Sequence, residues 1–133
     1  MMHREQEVIL ITIKQLREYR HVKTNIRLLE QELDELILKS SRHDGAGGGK
    51  GKSDTVAQIV QEREKTRKRI QLLIAQKNAV DVYISECEPY YGLLLRRHYV
   101  EGKTWTAVAA AIGGGNTGES VKKACHRYIY GNP

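Results

Sequence analysis

The residues best suited to chemistry lie in the last third of the chain. Lys122, Lys123 and Arg127 follow Thr117, with Ser120 and His126 interleaved. Between them Val121, Ala124, Cys125 and Tyr128 recur at i, i+3, i+4 and i+7. On a helix that spacing gathers the second set on one inward face and turns Glu119, Ser120, Lys122, Lys123, His126 and Arg127 outward. Lys and Arg neutralise phosphates and reach guanine O6 and N7; a Ser hydroxyl can bond several bases. A helix start at Thr117 and Ser120 offers free backbone N–H groups to a phosphate. A second basic group, Arg96, Arg97, His98 and Lys103, lies just upstream. The chemistry these residues suit is recognition of a polyanion: phosphate contacts for position, side chains on base edges for sequence.

Other spacings suggest sharper chemistry that their surroundings do not support. Ala46-x-x-x-x-Gly51-Lys52-Ser53 fits a relaxed phosphate-loop pattern. Such a loop needs a preceding strand, and a Leu-rich heptad helix stands there instead. Gly113-x-Gly115-x-x-Gly118 fits a dinucleotide fingerprint, but it follows Ala109-Ala110-Ala111-Ile112, which reads as helix. His3, His21, His43, His98 and His126 have no metal-ligand spacing, nor do Cys87 and Cys125. Cys125 and His126 are adjacent, so on a helix they point about 100° apart. No Ser-His-Asp or paired-carboxylate arrangement stands out. The expectation is a non-enzymatic chain without cofactor, metal or catalytic residue. Tyr90, Tyr91 and Trp105 could stack on single-stranded bases, but Trp105 at the start of a short amphipathic helix suits a core.

Four segments must position these groups. From Arg4 to Ser40 there is no Gly or Pro, and Val22, Ile26, Leu29, Leu33 and Leu36 are spaced 4, 3, 4, 3. That is a heptad seam on a long helix. Gly45-Ala46-Gly47-Gly48-Gly49-Lys50-Gly51 cannot hold a helix, because each Gly costs about 1 kcal/mol relative to Ala. From Ser53 or Asp54, both good caps, to Cys87 a second seam runs through Val56, Ile59, Arg63, Thr66, Ile70, Leu73, Lys77, Val80 and Ile84. Two helices of similar length across a Gly-rich loop at 43–53 imply an antiparallel hairpin. The apolar patch Val8–Ile13 would then lie at the open end and pack on the segment that begins at Pro89.

Residues 89–133 break into three short helices. Pro89 opens the first, with Leu93, Leu94 and Tyr99 as core. Thr104 caps the second, Trp105 to Ile112, with Trp105, Val108, Ala109 and Ile112 on one face. After Gly113-Gly114-Gly115, Asn116 or Thr117 caps the third, and Glu119 stands three residues after Asn116 as in a capping box. No strand alternation is visible. The expected fold is all-α: a coiled-coil hairpin over 1–88, then a three-helix module over 89–133.

Charge follows the same division. Residues 1–44 carry eight basic and eight acidic side chains, 45–89 carry eight and six, and 90–133 carry six and two. The net charge of +6 is thus concentrated in the module bearing the candidate site, which points to nucleic acid. No apolar run approaches the roughly 18 residues of a membrane span, and no signal peptide is read. Two unpaired cysteines suit a reducing cytoplasm.

Leu93-Leu94-Leu95-Arg96-Arg97-His98-Tyr99-Val100-Glu101-Gly102-Lys103-Thr104-Trp105, followed by Val108-Ala109 and Ile112-Gly113, resembles region four of bacterial sigma factors. With the heptad helices ahead of it, the chain is similar to phage and prophage regulators of the RinA-like and ArpU-like late-gene activator type. The close resemblance covers about residues 90–130. It implies a helix-turn-helix, sequence-specific binding of double-stranded DNA through the Thr117–Tyr130 helix, and exposed recognition positions at Lys122, Lys123 and Arg127. The chain departs from the pattern at Gly113-Gly114-Gly115-Asn116, where one Gly and a larger residue are usual, and at Gly118. The hairpin would pack only on itself, dimerise, or dock on a protein such as RNA polymerase. Alternatives are a DNA-packaging subunit of small-terminase type and a sigma-like polymerase-interaction module without DNA binding of its own.

Overall fold

The computed structural model describes residues 11–44 and 52–131. Among them every regular element is helical. Helix α1 spans Ile13–Asp44, α2 spans Lys52–Glu86, and α3 spans Pro89–Leu95 and continues as a π-turn over Arg96–Val100. Helix α4 spans Trp105–Ile112 and α5 spans Gly118–Ile129. The described residues contain no helix long and apolar enough to cross a membrane.

The boundaries differ from the sequence expectation in informative ways. The first long helix begins at Ile13, not near Arg4. Thr12 and Gln15 close its start: the Thr12 N–H donates to Gln15 Oε1 at 2.9 Å, and the Gln15 N–H donates to Thr12 Oγ1 at 3.2 Å. That reciprocal capping box is a stop signal present in the sequence as Thr-x-x-Gln. At the other end α1 reaches Asp44, and α2 starts at Lys52, ahead of the expected caps Ser53 and Asp54. Residues 43, 44, 52 and 53 of the expected loop are therefore helical. Residues Arg4 to Leu10 and Gly45 to Gly51 lie outside the described residues, and with them most of the Val8–Ile13 patch and of the phosphate-loop-like stretch.

The chain divides into two compact units, Met1–His21 with Gln76–Pro133, and Val22–Ala75. The first has a single core. Ile11, Leu16, Tyr19, Val80, Ile84, Leu94, Leu95, Tyr99, Val108, Ala109, Val121 and Cys125 form one buried cluster, with Trp105, Ile112 and Ile129 packed against it. Ile11, the described member of the N-terminal patch that joins this cluster, packs with the C-terminal helices as expected. Trp105, Val108, Ala109 and Ile112 also share the face predicted for them.

Helix α3 corrects one expectation. Leu93, read as core, is 48% exposed, while Leu95 is fully buried beside Leu94. A π-turn follows these residues. Glu101 N–H donates to Arg96 O at 2.9 Å, an i to i+5 bond that widens the helix. Leu94 and Tyr99, five residues apart, thereby reach the same core.

Within the second unit the heptad seams govern burial. Val22, Ile59, Thr66 and Ile70 are buried, and Ile26, Leu29, Leu33, Leu36, Val56, Arg63 and Leu73 are half-buried. Ser40 extends the α1 seam and is buried; its Oγ accepts from Arg63 Nη1 at 3.5 Å. The Arg63 Nε is buried without a partner, a cost of the polar seam position.

Candidate nucleic-acid interface

Thr104 fixes the entry to α4: its Oγ1 accepts from the Ala107 N–H at 3.1 Å. Gly113, Gly114 and Gly115 follow with φ of 76°, 68° and 79°. Three successive left-handed residues make glycine the natural choice at each, so the run that departs from the sigma-like pattern is what this turn requires. Asn116 does not cap α5; its Nδ2 donates to Gly113 O at 2.7 Å and braces the turn. Thr117 is the cap, and its partner is Ser120 in place of the expected Asn116–Glu119 box. Thr117 Oγ1 accepts from the Ser120 N–H at 3.1 Å, and Ser120 Oγ accepts from the Thr117 N–H at 3.0 Å.

Gly118 answers a packing need. A Cβ there would stand 2.9 Å from the Thr106 backbone nitrogen and 3.2 Å from its Cα. The first residue of α5 lies against the backbone of α4, and only a residue without a side chain fits that approach. A larger residue here would push the two helices apart.

The candidate residues of α5 fall into two groups. Lys123 and Arg127 are exposed and Lys122 is half-buried; none has an ion pair among the described residues. Glu119 stands in the first turn, where a carboxylate complements the helix dipole. Ser120 is exposed, but its hydroxyl also donates to Thr117 O at 2.9 Å, so its polar capacity serves the cap. His126 is half-buried. Burial lowers its pKa from 6.5, and the charges of Lys122, Arg17 and His98 lower it further, with Glu119 opposing.

The upstream group is also split. Arg96 and Lys103 are exposed, and Arg97 is half-buried. His98 is committed to the fold. Its ring stacks on Trp105 at 3.9 Å between centroids, and its Nδ1 bonds Lys103 O at 2.7 Å. Burial lowers its pKa from 6.5, the Lys103 carbonyl bond acts the other way, and Lys122 adds to the lowering. Trp105, wedged between His98 and Tyr99, acts as a core residue and not as a stacking platform.

Sequence reasoning missed the contribution of α1. Tyr19 donates to Asp81 Oδ1 at 2.7 Å, and Lys77 Nζ meets Asp81 Oδ2 at 2.8 Å. Burial and the Asp81 bond push the Tyr19 hydroxyl up to about 12. Burial would raise the Asp81 carboxyl, but the bonds from Lys77 and Tyr19 bring it below its usual value. The positive charge of Arg96 lowers both groups. Cys125 is buried in the core and its thiol is pushed up to about 12, so it is inert at neutral pH. No three of His, Cys, Asp and Glu gather as a metal site among the described residues. No family model, curated protein or solved structure matches the chain.

Proposed function

We propose that this chain is a non-enzymatic, cytoplasmic regulator of phage or prophage type that binds double-stranded DNA in a sequence-specific way. In this reading α4 and α5 are the two helices of a helix-turn-helix, α4 bracing across the backbone and α5 entering the major groove. The observation that carries it is the outward face of α5. Lys122, Lys123 and Arg127 present three positive charges free of ion pairs among the described residues, on a helix anchored from behind by Val121 and Cys125. Arg96, Arg97 and Lys103 supply phosphate contacts from the same compact unit, and Thr117 and Ser120 set the start of the reading helix.

An antiparallel α1–α2 hairpin is supported by the order of contacts. Tyr19 meets Asp81, while Ser40, later in α1, meets Arg63, earlier in α2. Leu28, Leu38 and Leu72 are exposed on these helices, which favours a protein partner there, a second copy or RNA polymerase.

The test is fluorescence anisotropy on a labelled random-sequence duplex, titrated from low to moderate salt. The expected result is a steep fall in affinity with salt, and a slope less negative by up to about two on changing Lys122 and Lys123 to Ala. Absence of binding at low salt overturns the reading and favours a polymerase-interaction module. A ring-sized oligomer in light scattering would favour the DNA-packaging alternative.

A further inference from the structure

The C-terminal module does not exhaust the cations of its compact unit. Leu16 and Tyr19 of α1 are buried in the same core as Leu95, Tyr99, Val108, Val121 and Cys125. With those two positions inward, Arg17 and Arg20 are i, i+3 neighbours on one exposed flank of the helix. Arg20 lies directly over the turn between α3 and α4. Its Cζ and Nη1 stand 2.6 Å from where a Cβ on Gly102 would be. Lys103, the next residue along that turn, is exposed. Arg17 lies close enough to His126 of α5 and to Tyr99 for its charge to act on both, and Lys122 acts on His126 and on His98. Neither Arg17 nor Arg20 has an ion pair among the described residues.

Arg20 and Lys103 therefore meet at the α3–α4 turn, and the charges of Arg17 and Lys122 both act on His126 of α5. Glu119, at the start of α5, acts on His126 in the opposite sense, and the exposed Glu18 and Glu101 are sequence neighbours of these cations. Exposed cations without ion pairs on one compact unit attract a polyanion. We infer that Arg17 and Arg20 form a second phosphate clamp, contributed by α1, that grips the DNA backbone beside the α3–α4 turn while α5 occupies the groove. The inference rests on the DNA-binding reading above and extends its contact surface beyond the helix-turn-helix. A clamp of this kind adds affinity and fixes orientation without reading sequence.

The test uses the full chain in the same salt titration, with Arg17→Ala/Arg20→Ala, Arg17→Lys/Arg20→Lys and Arg17→Ala alone. Two phosphate contacts account for about a ten-fold loss of affinity between about 50 and 200 mM salt. The double Ala variant is expected to lose that part of the salt dependence, equally on every duplex sequence, with the Lys variant restoring it. If the double Ala variant fails to fold, Arg17→Ala alone is expected to reduce the slope by about one. A wild-type chain that binds with a steep slope, and loses slope on changing Lys122 and Lys123 but not Arg17 and Arg20, overturns the clamp alone. A wild-type chain without salt-dependent binding overturns the DNA-binding reading and the clamp with it.

Discussion

The two compact units are built from the same long helices and reach different degrees of enclosure. In the unit that includes 76–131, Leu16, Leu94, Leu95, Val108 and Cys125 are fully buried. Among the described residues of the 22–75 unit no large side chain reaches that level, and Leu28, Ile37, Leu38, Val60, Leu72 and Ile74 are exposed. The difference is one of geometry. Two helices can cover each other along one stripe only, so seam residues such as Leu29, Leu33 and Leu73 stay half in solvent. Where α3, α4 and α5 add further walls, the same helices enclose a core. The polar seam positions follow this division. Lys77, in the enclosed unit, is paired with Asp81, whereas Arg63, in the open one, keeps a buried Nε without a partner.

The largest test of this contrast is a pair of truncations. Leu95→Ala empties a fully enclosed site and is expected to cost about 3 kcal/mol in urea unfolding. Leu72, 67% exposed, is expected to change stability by less than about 0.5 kcal/mol when replaced by Ala. Equal effects would break the comparison. Arg63→Met removes the unsatisfied Nε and fills the seam with an apolar chain. It is expected to raise stability by about 1 kcal/mol in the same measurement, and a loss would mean that the Ser40 bond outweighs the orphaned donor.

A smaller effect is the pH response of the enclosed unit. In the folded chain His98 and His126 both have pKa values below 6.5, chiefly through burial. Between those lowered values and 6.5 the unfolded chain binds more protons than the folded one. Stability therefore rises with pH across that window and declines as pH falls below 6.5. Thermal midpoints measured from about pH 8 to pH 5 are expected to drop. The drop is expected to flatten in the His98→Gln/His126→Gln chain, whatever its absolute stability. An unchanged profile would show that neither imidazole is linked to folding.

Several features were legible because they are local. The seams at 3 and 4 spacing, the Thr104 cap, the inward face of α5 and the cationic outward face all follow from helical geometry acting on neighbours in sequence. The Thr12-x-x-Gln15 box was equally local and marked the true start of α1, but the apolar run around it masked the signal. Leu93 was misplaced in α3, whose buried face runs through Gly92, Leu94 and Leu95, and the π-turn after it has no sequence signature of its own. It forms where widening the helix lets both Leu94 and Tyr99 reach the core. Asn116 and Thr117 were both open as caps in the sequence, and the turn settled it: Asn116 Nδ2 bonds Gly113 O, and Thr117 is left to cap α5.

The sequence by itself determined that the chain is helical, where the apolar stripes run, which face of α5 is cationic, and that positive charge accumulates after residue 90. Periodicity and residue type act within a few turns, and these properties are settled there. The tertiary structure alone decided that residues 11–21 and 76–86 share a core with the C-terminal helices. It also decided that Gly118 must admit the backbone of Thr106, and that Arg20, in a charge-balanced segment, lies over the α3–α4 turn at Gly102. Those outcomes depend on which face meets which across tens of residues, and the free energy of such a meeting belongs to the pair of surfaces rather than to either stretch of sequence.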